Sequence, residues 1–164
     1  MEDKRITKTK RALKSALLEL LTTQAFDVIS ITELCKIANV SRITFYTHYK
    51  DKFALLDDIF NDMLIIGKEG YHRRQEENNP ENNLTQGYLN VLDSVLSLYY
   101  ERYDFFQHVV PETNPYLAFR FYRILLDTVE SHTDKLKASY SLKYSARQIA
   151  GFICFGLFGF ISES

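Results

Sequence analysis

Apolar side chains recur at three- and four-residue steps along most of the chain, the period of helices that bury one stripe. Leu13, Ala16, Leu17, Leu20 and Leu21 form such a stripe and predict a first helix over residues 5–24. Its opening, residues 4–11, is basic and polar, and reads either as a solvated start or as an arm that touches phosphates. Ser30, Ile31, Thr32 and Glu33 match a capping box, in which serine accepts from the Glu33 amide and the Glu33 carboxylate reaches back. That box opens a short second helix ending near Ala38. Asn39 stands where the chain must turn, because asparagine tolerates left-handed backbone better than any residue but glycine. Ser41 caps a third helix over residues 42–49. Asp51 and Lys52 begin a fourth that should run to about Arg74.

Residues 75–83 hold no apolar side chain and one proline, and are expected to be a loop. Further helices are expected over residues 84–100, 102–110, 116–137 and 142–162, with Pro111 and Pro115 bracketing the central break. Glycine and proline are scarce, at six and three, which disfavours hairpins and sheets. The expected fold is therefore all-α: a three-helix head over residues 1–52 and a helical body over residues 53–164.

Charge sharpens that division. Residues 1–52 carry ten Lys and Arg against six Asp and Glu, and residues 53–164 carry ten against fifteen. A basic head on an acidic body is the layout expected when one end meets a polyanion. Met1 leads into charged residues, so no signal peptide is expected. The longest nearly apolar run, residues 149–161, is shorter than the roughly 20 residues of a membrane span. Cys35 and Cys154 are distant and lack a partner motif, as suits reduced, buried residues of a cytoplasmic protein.

The informative stretch is residues 30–56. Two short helices joined through Ala38, Asn39, Val40 and Ser41 have helix-turn-helix spacing, whose second helix can enter the major groove. In that helix Phe45 and Tyr49 are four apart and should pack inward with Val40. Arg42 and Tyr46 share another side, and Ile43 and Thr47 a third. Those sides offer a guanidinium for a guanine edge, hydroxyls, and an apolar tip for a thymine methyl. Tyr46, His48 and Lys52 should lie towards the flanking sugar-phosphate backbone.

Residues 30–56, with their capped helix, small turn, Val40-Ser41, Phe45-Tyr46, His48-Tyr49 and Lys52, resemble the DNA-binding domain of the TetR/AcrR family. The resemblance covers about residues 5–60. It implies phosphate contacts at Thr32, Tyr46, His48 and Lys52 and base contacts at Arg42, Ile43, Thr44 and Thr47. Asn39 departs from the glycine usual in the family. The chain also stops earlier than most members, inside an apolar helix, which suggests a compact member or a missing final helix.

Sixteen of the 23 Phe and Tyr residues lie from Leu84 onward, so the body is unusually aromatic. They serve either as core packing or as a pocket for a small apolar or aromatic effector, as the family commonly has. Tyr99, Tyr103, Phe106, Phe119 and Tyr122 are the candidate lining, with tyrosine hydroxyls to orient a ligand. The final helix is apolar nearly all round, so a second subunit is expected over Ile149, Phe152, Ile153, Gly156 and Phe160. It bears a faint likeness to the family's dihydroxyacetone kinase regulators. No Gly-rich phosphate loop, metal-ligand spacing or nucleophile motif is present, so neither enzyme activity nor a cofactor or metal is expected. The expected function is a homodimeric repressor that binds a palindromic operator in double-stranded DNA and is released by an effector. The alternative is a DNA-binding regulator controlled by a protein partner.

Overall fold

The side-chain periodicity resolves into helices throughout. The computed structural model describes residues 4–136 and 141–162, and among these there are eight α-helices, one 3-10 turn and no strand. They are α1 (Lys4–Leu21), α2 (Ile31–Ile37), α3 (Arg42–His48), α4 (Lys52–Asn78), α5 (Leu84–Glu101), α6 (Tyr103–Phe106), α7 (Pro115–Leu136) and α8 (Ala146–Ser162). The 3-10 turn, Phe26–Val28, joins α1 to α2. The all-α expectation holds.

The first three helices form the head around Leu13, Leu17, Leu34 and Phe45, all fully buried. α4 begins beneath that head, burying Leu55, Leu56 and Ile59, then runs on to pair with α5. α7 and α8 form the other main pair. One continuous core joins head to body, through Phe60 of α4, Phe105 of α6 and Leu117 of α7.

Three boundaries differ from expectation for reasons the hydrogen bonds show. α4 continues one turn beyond Arg74 and takes up Gln75–Asn78, polar residues that hold their own helix end together. The Gln75 side-chain oxygen accepts from the Asn79 and Asn90 amides at 3.0 and 2.6 Å, and Asn78 accepts from Asn90 at 2.8 Å. The expected helix over residues 102–110 shrinks to the single turn of α6. Beyond it the His108 and Val109 amides bond three residues back, to Phe105 and Phe106, as in tight turns. α8 starts at Ala146, four residues later than expected, because Ser145 and Gln148 form a capping box. Lys137, the expected end of α7, lies outside the described residues. No helix among the described residues is long and apolar enough to cross a membrane.

Candidate nucleic-acid interface

The head is assembled by its caps. Glu33 N–H donates to Ser30 Oγ at 3.2 Å while Ser30 N–H donates to Glu33 Oε2 at 2.9 Å, closing the expected capping box. Hydrogen bonds from the Ser30 hydroxyl and amide hold the Glu33 carboxyl below its ordinary pKa. α2 ends in a Schellman turn: Val40 N–H reaches the Cys35 carbonyl at 3.0 Å and Asn39 N–H the Lys36 carbonyl at 3.3 Å. Asn39 takes the left-handed conformation this requires, with φ 53°. Ser41 then caps α3, accepting from Thr44 N–H at 3.0 Å.

Those caps fix how α3 faces. Phe45 is 0% exposed and Tyr49 is buried, so the aromatic underside is hidden. Val40 is half-buried against the same core. The opposite edge is open: Arg42, Tyr46 and Thr47 are exposed, and Ile43 is 82% exposed. Tyr46 stands edge-on to the Phe45 ring, 5.5 Å between centroids, which fixes its aromatic body while leaving its surface accessible. His48 is half-buried at the helix end, and Thr32 is exposed at the first turn of α2. Lys36 and Lys50 are also exposed on the head.

Two of the expected contact residues also make hydrogen bonds within the head. Thr44 is half-buried, with its hydroxyl 2.9 Å from that of Ser41 and its amide on the same oxygen, so it serves the cap of α3. Lys52 is half-buried at the start of α4. Its ammonium donates to the carbonyls of Phe26, Asp27 and Ile29 at 2.9, 2.7 and 2.8 Å. Burial lowers its pKa, opposed by the charges of Asp27 and Glu33. Both residues hold the head together.

The supporting contacts come from distant elements, which spacing along the chain does not reveal. The Tyr49 hydroxyl donates to Asp58 Oδ2 at 2.7 Å, and Lys14 Nζ lies 3.1 Å from the same oxygen. Lys14 also pairs with Asp62 at 2.5 Å. From the body, Phe26 N–H donates to Asn114 Oδ1 at 2.7 Å, and Arg120 pairs with Asp57.

The body contains a cavity of about 520 Å³ between α4, α5 and α7. Its walls include Met63 and Leu64 of α4, Val95 and Leu98 of α5, and Phe121 and Ile124 of α7. At one side the Tyr71 hydroxyl meets His132 Nδ1 at 3.2 Å. Of the five expected lining residues only Phe106 is on this wall. Tyr99 is buried one layer behind, against Phe106. Tyr103 and Phe119 are exposed, and Tyr122 packs on Phe155 and Phe158 of α8. Most rings of the aromatic cluster pack on one another.

α8 presents an apolar outer face. Phe152 is 83% and Phe155 69% exposed, and Phe160 is exposed beside them. A Cβ on Gly156 or Gly159 would meet nothing within 4 Å. Ile149 and Ile153 are half-buried instead, with Ile153 packed on the core. Cys35 and Cys154 are buried free thiols, and burial pushes Cys154 up to about 12.

This geometry can be set beside known proteins. No protein-family model matches the chain. The chain is 40% identical over 58 residues to YxbF of Bacillus subtilis strain 168, described as an uncharacterized HTH-type transcriptional regulator. That match covers 35% of this chain and only 14% of the relative's length. Two solved structures share the architecture over 93% of this chain and 84% of theirs. One is a candidate fatty acid metabolism regulator of Clostridium perfringens, at TM-score 0.66 and 16% identity. The other is the dihydroxyacetone kinase operon activator DhaS, at TM-score 0.56 and 23% identity. The chain thus has the TetR-like, all-helical fold of these regulators.

Proposed function

We propose that this chain is a homodimeric, DNA-binding transcriptional regulator, with its reader in residues 1–52 and its regulatory body in residues 53–164. The observation that carries the reading is the two-sidedness of α3. Phe45 and Tyr49 anchor it, while Arg42, Ile43, Tyr46 and Thr47 stand on an open edge. A guanidinium, hydroxyls and an apolar tip on one short rigid helix suit a groove of base edges. Thr32, His48 and Tyr46 flank that edge at positions suited to phosphates. Lys52 enters as the residue that orients the reader.

Dimerisation is supported by the exposed rings of α8. Five large apolar or glycine positions on one outer face, Phe152, Phe155, Gly156, Gly159 and Phe160, favour burial against a second copy. Two heads would then address the two halves of a palindromic site. The cavity supports control by a small effector with an apolar body, bound among Met63, Leu64 and Ile124 and oriented by polar groups at Tyr71 and His132. It favours this reading over control by a protein partner alone. An effector that prefers a state with wrongly spaced heads would release DNA, so that the chain acts as a cytoplasmic repressor.

The test is selection of duplexes from a random-sequence pool, then titration of the best duplex against salt. We expect a palindromic consensus and an affinity that falls steeply with salt as counterions are released. Binding that is absent, or indifferent to salt, rejects the reading.

A further inference from the structure

The turn between α1 and α2 is held from two sides by two different body-forming helices. From α4, Lys52 takes its three carbonyls, those of Phe26, Asp27 and Ile29. From the start of α7, Asn114 takes its first amide: Phe26 N–H donates to Asn114 Oδ1 at 2.7 Å, across 88 residues. Asn114 is a buried polar side chain. Its own backbone is fixed, with N–H on the Val110 carbonyl at 2.8 Å and its carbonyl accepting from Ala118 N–H at 3.1 Å. An asparagine at the start of a helix ordinarily turns its side chain to that helix's first amides. This one reaches the reader.

Ring packing reinforces the grip. Tyr116 stacks on Phe26 at 5.6 Å with the planes 11° apart, and meets Phe53 of α4 edge-on at 5.1 Å. One turn further along α7, Arg120 pairs with Asp57 of α4. Phe26 therefore sits where α4, α7 and the reader meet.

The same two helices wall the cavity. Leu64 and Met63 lie further along α4, and Phe121, Ile124 and Thr128 further along α7. Each helix runs unbroken from the cavity to the turn, which gives a change in their separation at the cavity a continuous route to their ends. At those ends, one helix holds the carbonyls and the other the amide of a single short turn.

We infer that the Phe26–Val28 turn is the point where the spacing of α4 and α7 is handed to the DNA reader, with Asn114 as the positioning residue. This rests on the proposed function only for its consequence at an operator. The coupling itself is a property of the free protein.

Amide hydrogen exchange of the full chain, without DNA, tests it. Asn114→Ala should lower protection at the Phe26 amide about tenfold, the scale of one lost hydrogen bond, while Leu98 in α5 keeps its protection. Asn114→Asp retains an acceptor oxygen and should keep most of the Phe26 protection. Filling the cavity from either wall, by Val95→Phe or Ile124→Phe, should shift Phe26 protection at least threefold. The shift should vanish when either fill is combined with Asn114→Ala, a non-additivity that a merely structural role would not produce. Unchanged Phe26 protection in Asn114→Ala overturns the inference, as do additive effects in both double variants. Failure of the wild-type protein to bind duplex DNA would reject the proposed function and leave this test intact.

Discussion

The ammonium of Lys52 lies 5.0 Å from the centre of the Phe26 ring and donates to the Phe26 carbonyl at 2.9 Å. With the Asp27 and Ile29 carbonyls added, all three of its N–H donors have protein acceptors. Lys52→Met should therefore destabilise the protein by about 2–3 kcal/mol, read from thermal or denaturant unfolding. An unchanged unfolding curve, with a DNA salt slope smaller by about one, would return Lys52 to the phosphate backbone.

Asp58 ties α4 to both α1 and the end of α3. Burial raises its pKa, but the Tyr49 hydroxyl and the Lys14 ammonium outweigh that, and the net shift is below the ordinary 3.8. A depressed carboxyl contributes stability above its unfolded pKa and loses it as pH falls through the folded one. Stability should therefore decline as acid is added below about pH 3.8. Asp58→Asn should cost about 1–2 kcal/mol at neutral pH and flatten that acid limb. Parallel acid limbs in the two proteins would refute the assignment.

Arg42 and Ile43 project from α3 without supporting the core. Arg42→Ala and Ile43→Ala should leave stability within about 0.5 kcal/mol of wild type. Discrimination between the selected duplex and a single-base variant should fall by about 1–3 kcal/mol. Competition binding at fixed salt measures this, and equal loss on all sequences would assign both residues to non-specific contact.

Phe152 is the most exposed large apolar side chain in the described residues. Phe152→Asp should convert the proposed dimer to a monomer at micromolar concentration without changing helix content. Sedimentation velocity and far-ultraviolet circular dichroism read the two quantities. A variant that stays dimeric would place the interface elsewhere.

Asn39 adopts φ 53° at the end of α2. Asn39→Gly should be neutral or stabilise by up to about 1 kcal/mol, because glycine enters this region without a Cβ penalty. Asn39→Ala should destabilise by about 1 kcal/mol, since alanine cannot soften the strain. Unfolding midpoints of the two variants should straddle or bound that of wild type; alanine equalling glycine would contradict the strain argument.

The head was legible because its signals are local. Ser30 with Glu33, Asn39 at the turn, and Ser41 before Phe45 each act within five residues, and each occupies the expected place. The body was less legible. Tyr103 and Phe119 looked like pocket residues by type, yet they are exposed, while Met63, Leu64 and Val95 wall the cavity. Residue type reports how apolar a helix is, whereas a cavity depends on how two helices diverge. Gln75–Asn78 misled for a related reason: their polarity is absorbed by Asn90, fifteen residues beyond Gln75.

Residue order alone determined the helical class, the number and rough limits of the main helices, and the inward aspect of Phe45 and Tyr49. Periodicity and caps act over one or two turns, so neighbours in sequence suffice to set them. Only the folded chain decided that Lys52 and Asn114 meet at one turn, that Arg120 reaches Asp57, and where the body is hollow. Those relationships join residues dozens of positions apart, and their partners are chosen by packing, which no local pattern encodes.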